Sequence, residues 1–597
     1  MLPVLHGSEG SVMRLLGRVL VVVLAVIGGG FLLIAGFGLY GVLHAHPAPL
    51  PAKMVLALDL DRGVSESKGG GAFAFRKVSP YSLRQVVESL DRASRDPRVT
   101  AIVARFDSPP IGMAQAQELR DAVLAFRRSG KRVLAYSTSL GGGGNGSMAY
   151  YLASSFHEIW LQPSGDIGMT GFMAESPFFK GTLDWLEVKP QFAGRYEYKT
   201  AIDIYTHDKF TKEGRESMQL LIDSWSKQAI EGIALARGLP PADVKALIDR
   251  APLMADEALN AKLVDKLAYW DETEKDLTGD DSKLVDLADY ASRATPEPTA
   301  VKVALIGGIG EVTDADSSDG PFGGASVMSS LRLERAFKDA VANPDIKAIL
   351  FRIDSPGGAY PAADDIWHSV TEARAAGKPV VVSMGNVAAS GGYFGAMAAD
   401  KIVAQPGTIT GSIGVFAGKL ALQDTFKKVG MTFDEVHQGK NAGMWSGNTP
   451  FSPSQWERLN ASLDHVYADF TGKAGKARNL TPDQMDKLAR GRIWPGDEAK
   501  RLGLVDELGG YPEAMVLIRQ LAKLPTQMPI QLVPFPREKR PIDYLMELAE
   551  QGDIPDGVAE SAVSLRRIAK IAEVLAPLTD MVETKDTRLK APPINQR

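Results

Sequence analysis

The chain carries the same unit twice. Lys53-Met-Val-Leu-Ala-Leu resembles Lys302-Val-Ala-Leu-Ile at a spacing of 249, and Asp107-Ser108-Pro109 returns as Asp354-Ser355-Pro356 at 247. Gln162-Pro163 returns as Gln405-Pro406 at 243. Asp256-Glu257-Ala258 with Leu263-Val264-Asp265 returns as Asp497-Glu498-Ala499 with Leu504-Val505-Asp506 at 241. A spacing that drifts slowly while the order holds marks a duplicated domain with a few small deletions. It constrains the fold at once: 597 residues are too many for one core. They divide into a first repeat at 53–271 and a second at 301–512.

Within each repeat, short apolar runs (99–106, 132–137 and 159–162; 347–353, 379–383 and 401–405) alternate with helical patterns. That spacing predicts right-handed strand–helix–strand crossovers and a mainly parallel sheet in each repeat, an α/β fold. The later parts, 212–267 and 454–508, read as mostly helical, with Pro241 and Pro482 each opening a helix. Between the repeats, 272–300 is largely polar and reads as a connector. After them, 513–597 reads as a packing or assembly tail, with a strand-like run at 531–534 and Leu565, Ile568, Ala572 and Leu575 at helical spacing.

Ahead of the repeats, 19–43 is an uninterrupted uncharged run. As a helix it is roughly 37 Å long, enough to span a bilayer. Arg14 and Arg18 precede it and no Lys or Arg follows until Lys53, so 1–18 is expected in the cytosol, 44–52 as a Pro-rich linker and the body outside. A cleaved signal peptide has a shorter apolar core, about 7–15 residues, so the expectation is a retained single-pass anchor in a bacterial inner membrane with a periplasmic body. A net charge of −5 gives no electrostatic case for nucleic-acid binding. The absence of cysteine excludes disulfides, cysteine nucleophiles and thiolate metal sites.

Chemistry concentrates at 380–400, VVVSMGNVAASGGYFGAMAAD. A β-branched run suited to a buried strand leads to Ser390 and then to a small, apolar stretch compatible with a tightly packed helix. Such a serine is ordinarily an N-cap. Here Ala389, Gly391 and Gly392 permit close approach of another backbone, and a helix N-terminus favours developing negative charge. Upstream, Asp354-Ser355-Pro356-Gly357-Gly358 ends an apolar run in a double glycine whose N–H groups suit an oxyanion hole, with Gly391 beside them. Asp354 itself reads as a strand-ending cap for that turn. The duplication serves as an internal control: Ser147 corresponds to Ser390 and Lys199 to Lys440, but Pro109-Pro110-Ile111 stands where the second repeat has Pro356-Gly357-Gly358. Proline has no N–H to donate, so the second repeat keeps the nucleophile's setting. Either lysine is left as a candidate base.

Taken together, the duplication, the apolar run, Asp-Ser-Pro-Gly-Gly, Ala-Ser-Gly-Gly-Tyr and Gly407-Thr-Ile-Thr-Gly-Ser-Ile-Gly-Val resemble the long, duplicated form of the signal peptide peptidase A family. The resemblance covers roughly 53–510 plus the anchor. It implies tandem ClpP/crotonase-like repeats, a Ser/Lys peptidase without metal or cofactor, and a homotetramer. It also implies degradation of leftover signal peptides and other apolar peptides. Residue by residue it implies Ser390 as nucleophile, Lys199, in Tyr198-Lys199-Thr200-Ala201, as base from the first repeat, and Ser412 holding the amine. Lys440 then reads as a surface lysine of the polar loop 437–447. Two other readings stand beside it: a crotonase-type acyl-CoA enzyme, which uses the same glycine N–H chemistry, and a non-catalytic membrane scaffold.

Overall fold

The computed structural model describes residues 49–66, 81–294, 297–315, 327–536, 588–590 and 595–596. The expected anchor at 19–43 lies outside the described residues, and so does most of the tail. Among the described residues no helix is long and apolar enough to cross a membrane. The chain divides into two units, Met1–Ala52 and Lys53–Arg597, and the second contains both repeats.

Each repeat is built on a sheet. In the first, the spatial order is Lys266–Leu267, Glu158–Leu161, Arg132–Ser137, Val99–Arg105, Met54–Asp59 and Lys283–Asp286, parallel throughout. In the second, it is Ile493–Pro495, Ile409–Gly411, Val380–Ala389, Ile346–Ser355, Val301–Ile309 and Ile530–Phe535, with Lys401–Ala404 also pairing with Val380–Ala389. All its pairings are parallel except that of Ile493–Pro495 with Ile409–Gly411. Strands covered on both faces read as unbroken apolar runs; Val380, Val381 and Val382, like Ile349, Leu350 and Phe351, are fully buried. The helices repeat in kind. Lys212–Arg237 and Pro453–Arg478 have 26 residues each. Thr211 and Ser452 cap their first turns, and a left-handed Gly238 or Asn479 ends them.

Two readings of the sequence change here. The nucleophile strand was expected over 379–383 but runs the whole of Val380–Ala389. Beyond Ser383, Asn386 Oδ1 accepts from Gln115 N of the first repeat and Val387 N donates to Asp354, 3.1 and 2.9 Å. Tertiary partners hold it straight. The stretch 272–300, expected as a connector, contains helix Leu287–Ser292 and the strand Lys283–Asp286, which closes the edge of the first sheet as Ile530–Phe535 closes the second. A part-exposed edge strand can stay polar, which is why its composition hid it.

A third sheet joins the repeats. Its order is Val327–Ser329, Glu311–Thr313, Gly357–Ala359, Arg588–Lys590, Val415–Ala421 and Lys189–Arg195. The last strand belongs to the first repeat and pairs antiparallel with the second repeat's Val415–Ala421 through seven residue pairs, Val415 with Arg195 to Ala421 with Lys189. This joint carries the chain that follows Arg195 onto the second repeat.

Candidate active site

The strand Val380–Ala389 ends and helix Gly391–Ala396 begins at once. Ser390 is the joint, fully buried, at φ 56° and ψ −117°. A non-glycine residue in that region stores backbone strain, which persists only where surrounding bonds over-determine it. Here Ser390 N donates to Gly411 O and Ser390 O accepts from Phe394 N, both 2.8 Å. The hydroxyl is therefore not needed as a cap; no side-chain cap bond forms.

Lys199 arrives from the first repeat, four residues beyond the joining strand. Its Nζ lies 2.8 Å from Ser390 Oγ and donates to Ser412 O at 2.9 Å and Ser412 Oγ at 3.0 Å. The side chain is enclosed, with Lys199 only 2% exposed, and burial drives its pKa well below the ordinary lysine value. A neutral amine has two N–H donors and one lone pair. Ser412 offers two acceptors and Ser390 one O–H, so the three partners match the neutral form. Ser412 sits at φ 51°, and its N donates to Arg492 O at 2.7 Å.

The glycines crowd the same place. A side-chain carbon on Gly391 would stand 3.1 Å from Gly358 N and 3.3 Å from Gly357 Cα, so the three backbones share one small space. Gly357 has φ 103°, open to glycine and strained for anything else. Its N–H donates to Ser355 Oγ at 3.2 Å. Gly358 lies against Val312, whose carbonyl oxygen would be 2.1 Å from an added Cβ.

The first repeat does not hold the same arrangement. Gly146 N donates to Gly168 O and Tyr150 N to Gly146 O, the two bonds that Ser390 and Phe394 make in the second repeat. Gly146, not Ser147, therefore takes the position of Ser390. Ser147 Oγ is instead bound at both ends by Gly171, donating to its carbonyl and accepting from its N–H at 2.8 Å. Met169 stands where the spacing of 243 places Ser412. Lys440 is exposed.

One residue that sequence reasoning missed is Gly491, at φ 88°, where a Cβ would collide with Lys199 N, Cα and Cβ at 2.5 to 2.6 Å. It leaves the space in which Lys199 seats. The signal was present: at the spacing of 241 its counterpart is Arg250, a large residue replaced by none.

Comparison with known proteins agrees with this duplication. The model of peptidase family S49 matches twice, over 125–283 and 372–525, once in each repeat. Protease 4 of Salmonella typhi is 33% identical over 467 residues, covering 75% of this chain and 73% of that protein. Protease 4 of Haemophilus influenzae is 30% identical over 76% of this chain and 75% of its own length. A serine protease SPPA, chloroplastic, of Arabidopsis thaliana is 28% identical over 82% and 72%. With matches in both halves and relatives aligned along most of its length, the chain belongs to peptidase family S49, as a serine peptidase of the long, two-repeat type.

Proposed function

We propose that this peptidase works through a Ser/Lys dyad built across its repeats, with Ser390 as nucleophile, Lys199 as general base and Ser412 orienting the amine. The observation that carries it is the buried lysine Nζ 2.8 Å from Ser390 Oγ, with two acceptors on Ser412 for its N–H groups. A lysine in water, with pKa near 10.4, holds its proton at neutral pH and is a poor base; burial removes that obstacle. The neutral amine takes the Ser390 proton as Oγ attacks the peptide carbonyl. The oxyanion meets the N–H groups of Gly358 and of Gly391 at the start of its helix, that of Gly357 donating to Ser355 Oγ and shaping the turn. The ammonium then protonates the leaving amine, and water, activated by the same lysine, hydrolyses the acyl-enzyme. The ClpP/crotonase-like class of the repeats belongs to this reading.

The proposed setting is a bacterial inner membrane, anchored through the apolar run 19–43 with the catalytic body in the periplasm, and the substrates are cleaved signal peptides and other apolar peptides. The proposed assembly is a homotetramer.

A fluorogenic peptide with an apolar P1 residue tests the dyad. Ser390→Ala and Lys199→Ala are expected to abolish turnover, and Ser147→Ala and Lys440→Ala to retain it. A dead Lys440→Ala beside an active Lys199→Ala would put the base in the second repeat and overturn the assignment.

A further inference from the structure

Behind the nucleophile strand lies a group of charges that the hydrolytic steps do not use. Arg352, on Ile346–Ser355, donates from Nε and Nη2 to Glu66 at 2.9 and 3.0 Å, from Nη2 to Glu118 at 2.9 Å and from Nη1 to Ser383 Oγ at 2.7 Å. The side chains of Arg352, Glu66 and Glu118 are only 1 to 3% exposed. Two residues along the same strand, and so on the same face, is Asp354. Its Oδ1 accepts from Val387 N at 2.9 Å, and its Cβ and Cγ lie where a side chain on Gly385 would stand. The groups facing it are Glu66, from the segment after Val64–Ser65, and Arg352 on its own strand. Arg352 in turn meets Glu118, on helix Met113–Arg127, and the ring of Tyr511, on helix Tyr511–Leu521, at 4.7 Å. Two carboxylates thus hold one guanidinium in a buried place, and a third, Asp354, lies in its field. Glu66 and Glu118 take the guanidinium directly, and Asp354 is left with backbone N–H groups.

Asp354 occupies a telling position on the chain. Toward its C-terminal side come Ser355 and the glycines 357 and 358; the strand it bonds reaches Ser390 three residues after Val387. We infer that Asp354 is a positioning residue of the peptidase reaction: its ionised carboxylate ties the strand that leads into Ser390 to the strand that leads into the glycines 357 and 358, and the tie weakens when a proton removes the charge that strengthens it. Burial first, and the Glu66 carboxylate second, push its pKa up to about 7, so the tie is made and unmade in the physiological range. The first repeat supplies the contrast. Asp107 accepts from Ser137 Oγ, Thr138 N, Thr138 Oγ and Ser139 N. Against burial, these bonds hold its carboxyl below the usual range. The repeat that lacks the nucleophile keeps a permanently charged aspartate, and the repeat that has it keeps one that titrates.

The inference rests on Ser390 as nucleophile. Its test is the pH dependence of kcat and KM for peptide hydrolysis by the full chain, in wild type, Asp354→Asn, Asp354→Ala and Ser390→Ala. Between pH 6 and 8 a group of pKa about 7 passes from mostly protonated to mostly ionised, so the wild-type ratio of kcat at the two pH values should exceed that of Asp354→Asn by about tenfold. The asparagine carbonyl accepts from Val387 N at either pH without the charge, as the protonated carboxyl does, so Asp354→Asn should hold kcat near the wild type's low-pH level at both. Asp354→Ala, with no acceptor, should lose up to about 100-fold in kcat at both pH values with KM little changed, as a misplaced reacting group does. Thermal midpoints give a second readout. A carboxyl whose folded pKa is raised binds more protons folded than unfolded, so this contribution falls as pH rises from about 4 to 7, and Asp354→Asn should gain on wild type over that interval. A variant that moves only the thermal midpoint, and keeps the wild-type kcat profile, overturns the inference. Activity surviving in Ser390→Ala overturns the assignment of the nucleophile, and this inference with it.

Discussion

At the scale of single residues, the site is a balance between burial and partners. Lys199 has three polar neighbours and no carboxylate within hydrogen-bond reach among the described residues, so its charged form is penalised without recompense. That condition is also a stability statement. The unfolded chain holds the lysine proton up to about pH 10.4 and the folded chain releases it lower. Between those two values the unfolded state binds more protons, and this contribution to stability rises with pH and is smallest below the folded pKa. Replacing Lys199 by Met removes the contribution along with the proposed base. We predict that Lys199→Met hydrolyses no peptide yet melts above wild type at neutral pH, and that the gap closes as pH approaches about 10.4. Calorimetry across that range checks it, and a gap widening with pH would refute it. Ser390 and the double glycine were legible in the sequence because small residues clustered where a strand met a helix, whereas Ser412 came only from the resemblance of its Gly-Ser-Ile-Gly motif. Asp354 was legible only as a turn cap, because its work depends on Glu66, 288 residues away in the chain.

At the scale of elements, what matters is how a lysine from one repeat reaches a serine in the other. Neither the loop around Lys199 nor the helix after Ser390 does this; the antiparallel joint of Lys189–Arg195 with Val415–Ala421 does. Other contacts brace it: Arg195 pairs with Asp464 at 2.6 Å, Arg490 with Glu197 at 2.8 Å, and Trp225 Nε1 donates to Gly407 O at 2.9 Å. The duplication made the strands and crossovers of each repeat readable. It did not reveal the joint, since which strand edges meet is a property of the assembled sheets. Gly418, in the middle of the joint, allows the strands to lie close: a Cβ there would stand 2.2 Å from Gln191 O and 2.4 Å from the Phe192 ring. Gly418→Val must therefore push the first-repeat strand away and Lys199 with it. We expect kcat to fall by about 100-fold for each ångström of displacement, with far-ultraviolet circular dichroism unchanged and labelling of Ser390 by a serine-directed reagent slowed in parallel. Full activity in a folded Gly418→Val would mean that the joint does not set the lysine's position.

At the scale of the whole molecule, the joint is made once and half-prepared a second time. Helix Lys180–Trp185, which leads into the joining strand, has its double in helix Gln423–Lys428 at a spacing of 243. Both turns end alike, with Val188 N donating to Leu183 O and Met431 N to Phe426 O, and with positive φ at Glu187 and Gly430. The counterpart of Lys189–Arg195 is thus 432–438, which is exposed and pairs with no strand among the described residues. Phe433 and Val436 are 50% and 102% exposed there, beside Val429 and Met431 at 74% and 48%. The counterpart of Val415–Ala421 is 172–178, where, among the described residues, Ala174–Glu175 has one neighbouring strand, Asn595–Gln596, against the two that flank Val415–Ala421. We predict that a second copy of the chain adds here, its 432–438 pairing with 172–178 as the first repeat's strand pairs with the second. Such a contact is head-to-tail, so it must close into a ring or grow without end, and the proposed homotetramer is a closed solution. The register carries over, pairing Ala174 of one copy with Val436 of the next, as Ala193 pairs with Ala417 within the chain. Because the chain has no cysteine, Ala174→Cys with Val436→Cys gives a clean test. Oxidation is expected to link chains to one another up to a fixed ring size on a non-reducing gel. Val436→Asp alone should lower the mass in solution, since an unpaired charge buried between strands opposes assembly. A double variant that stays uncrosslinked, with Val436→Asp unchanged in mass, would show that the copies meet elsewhere.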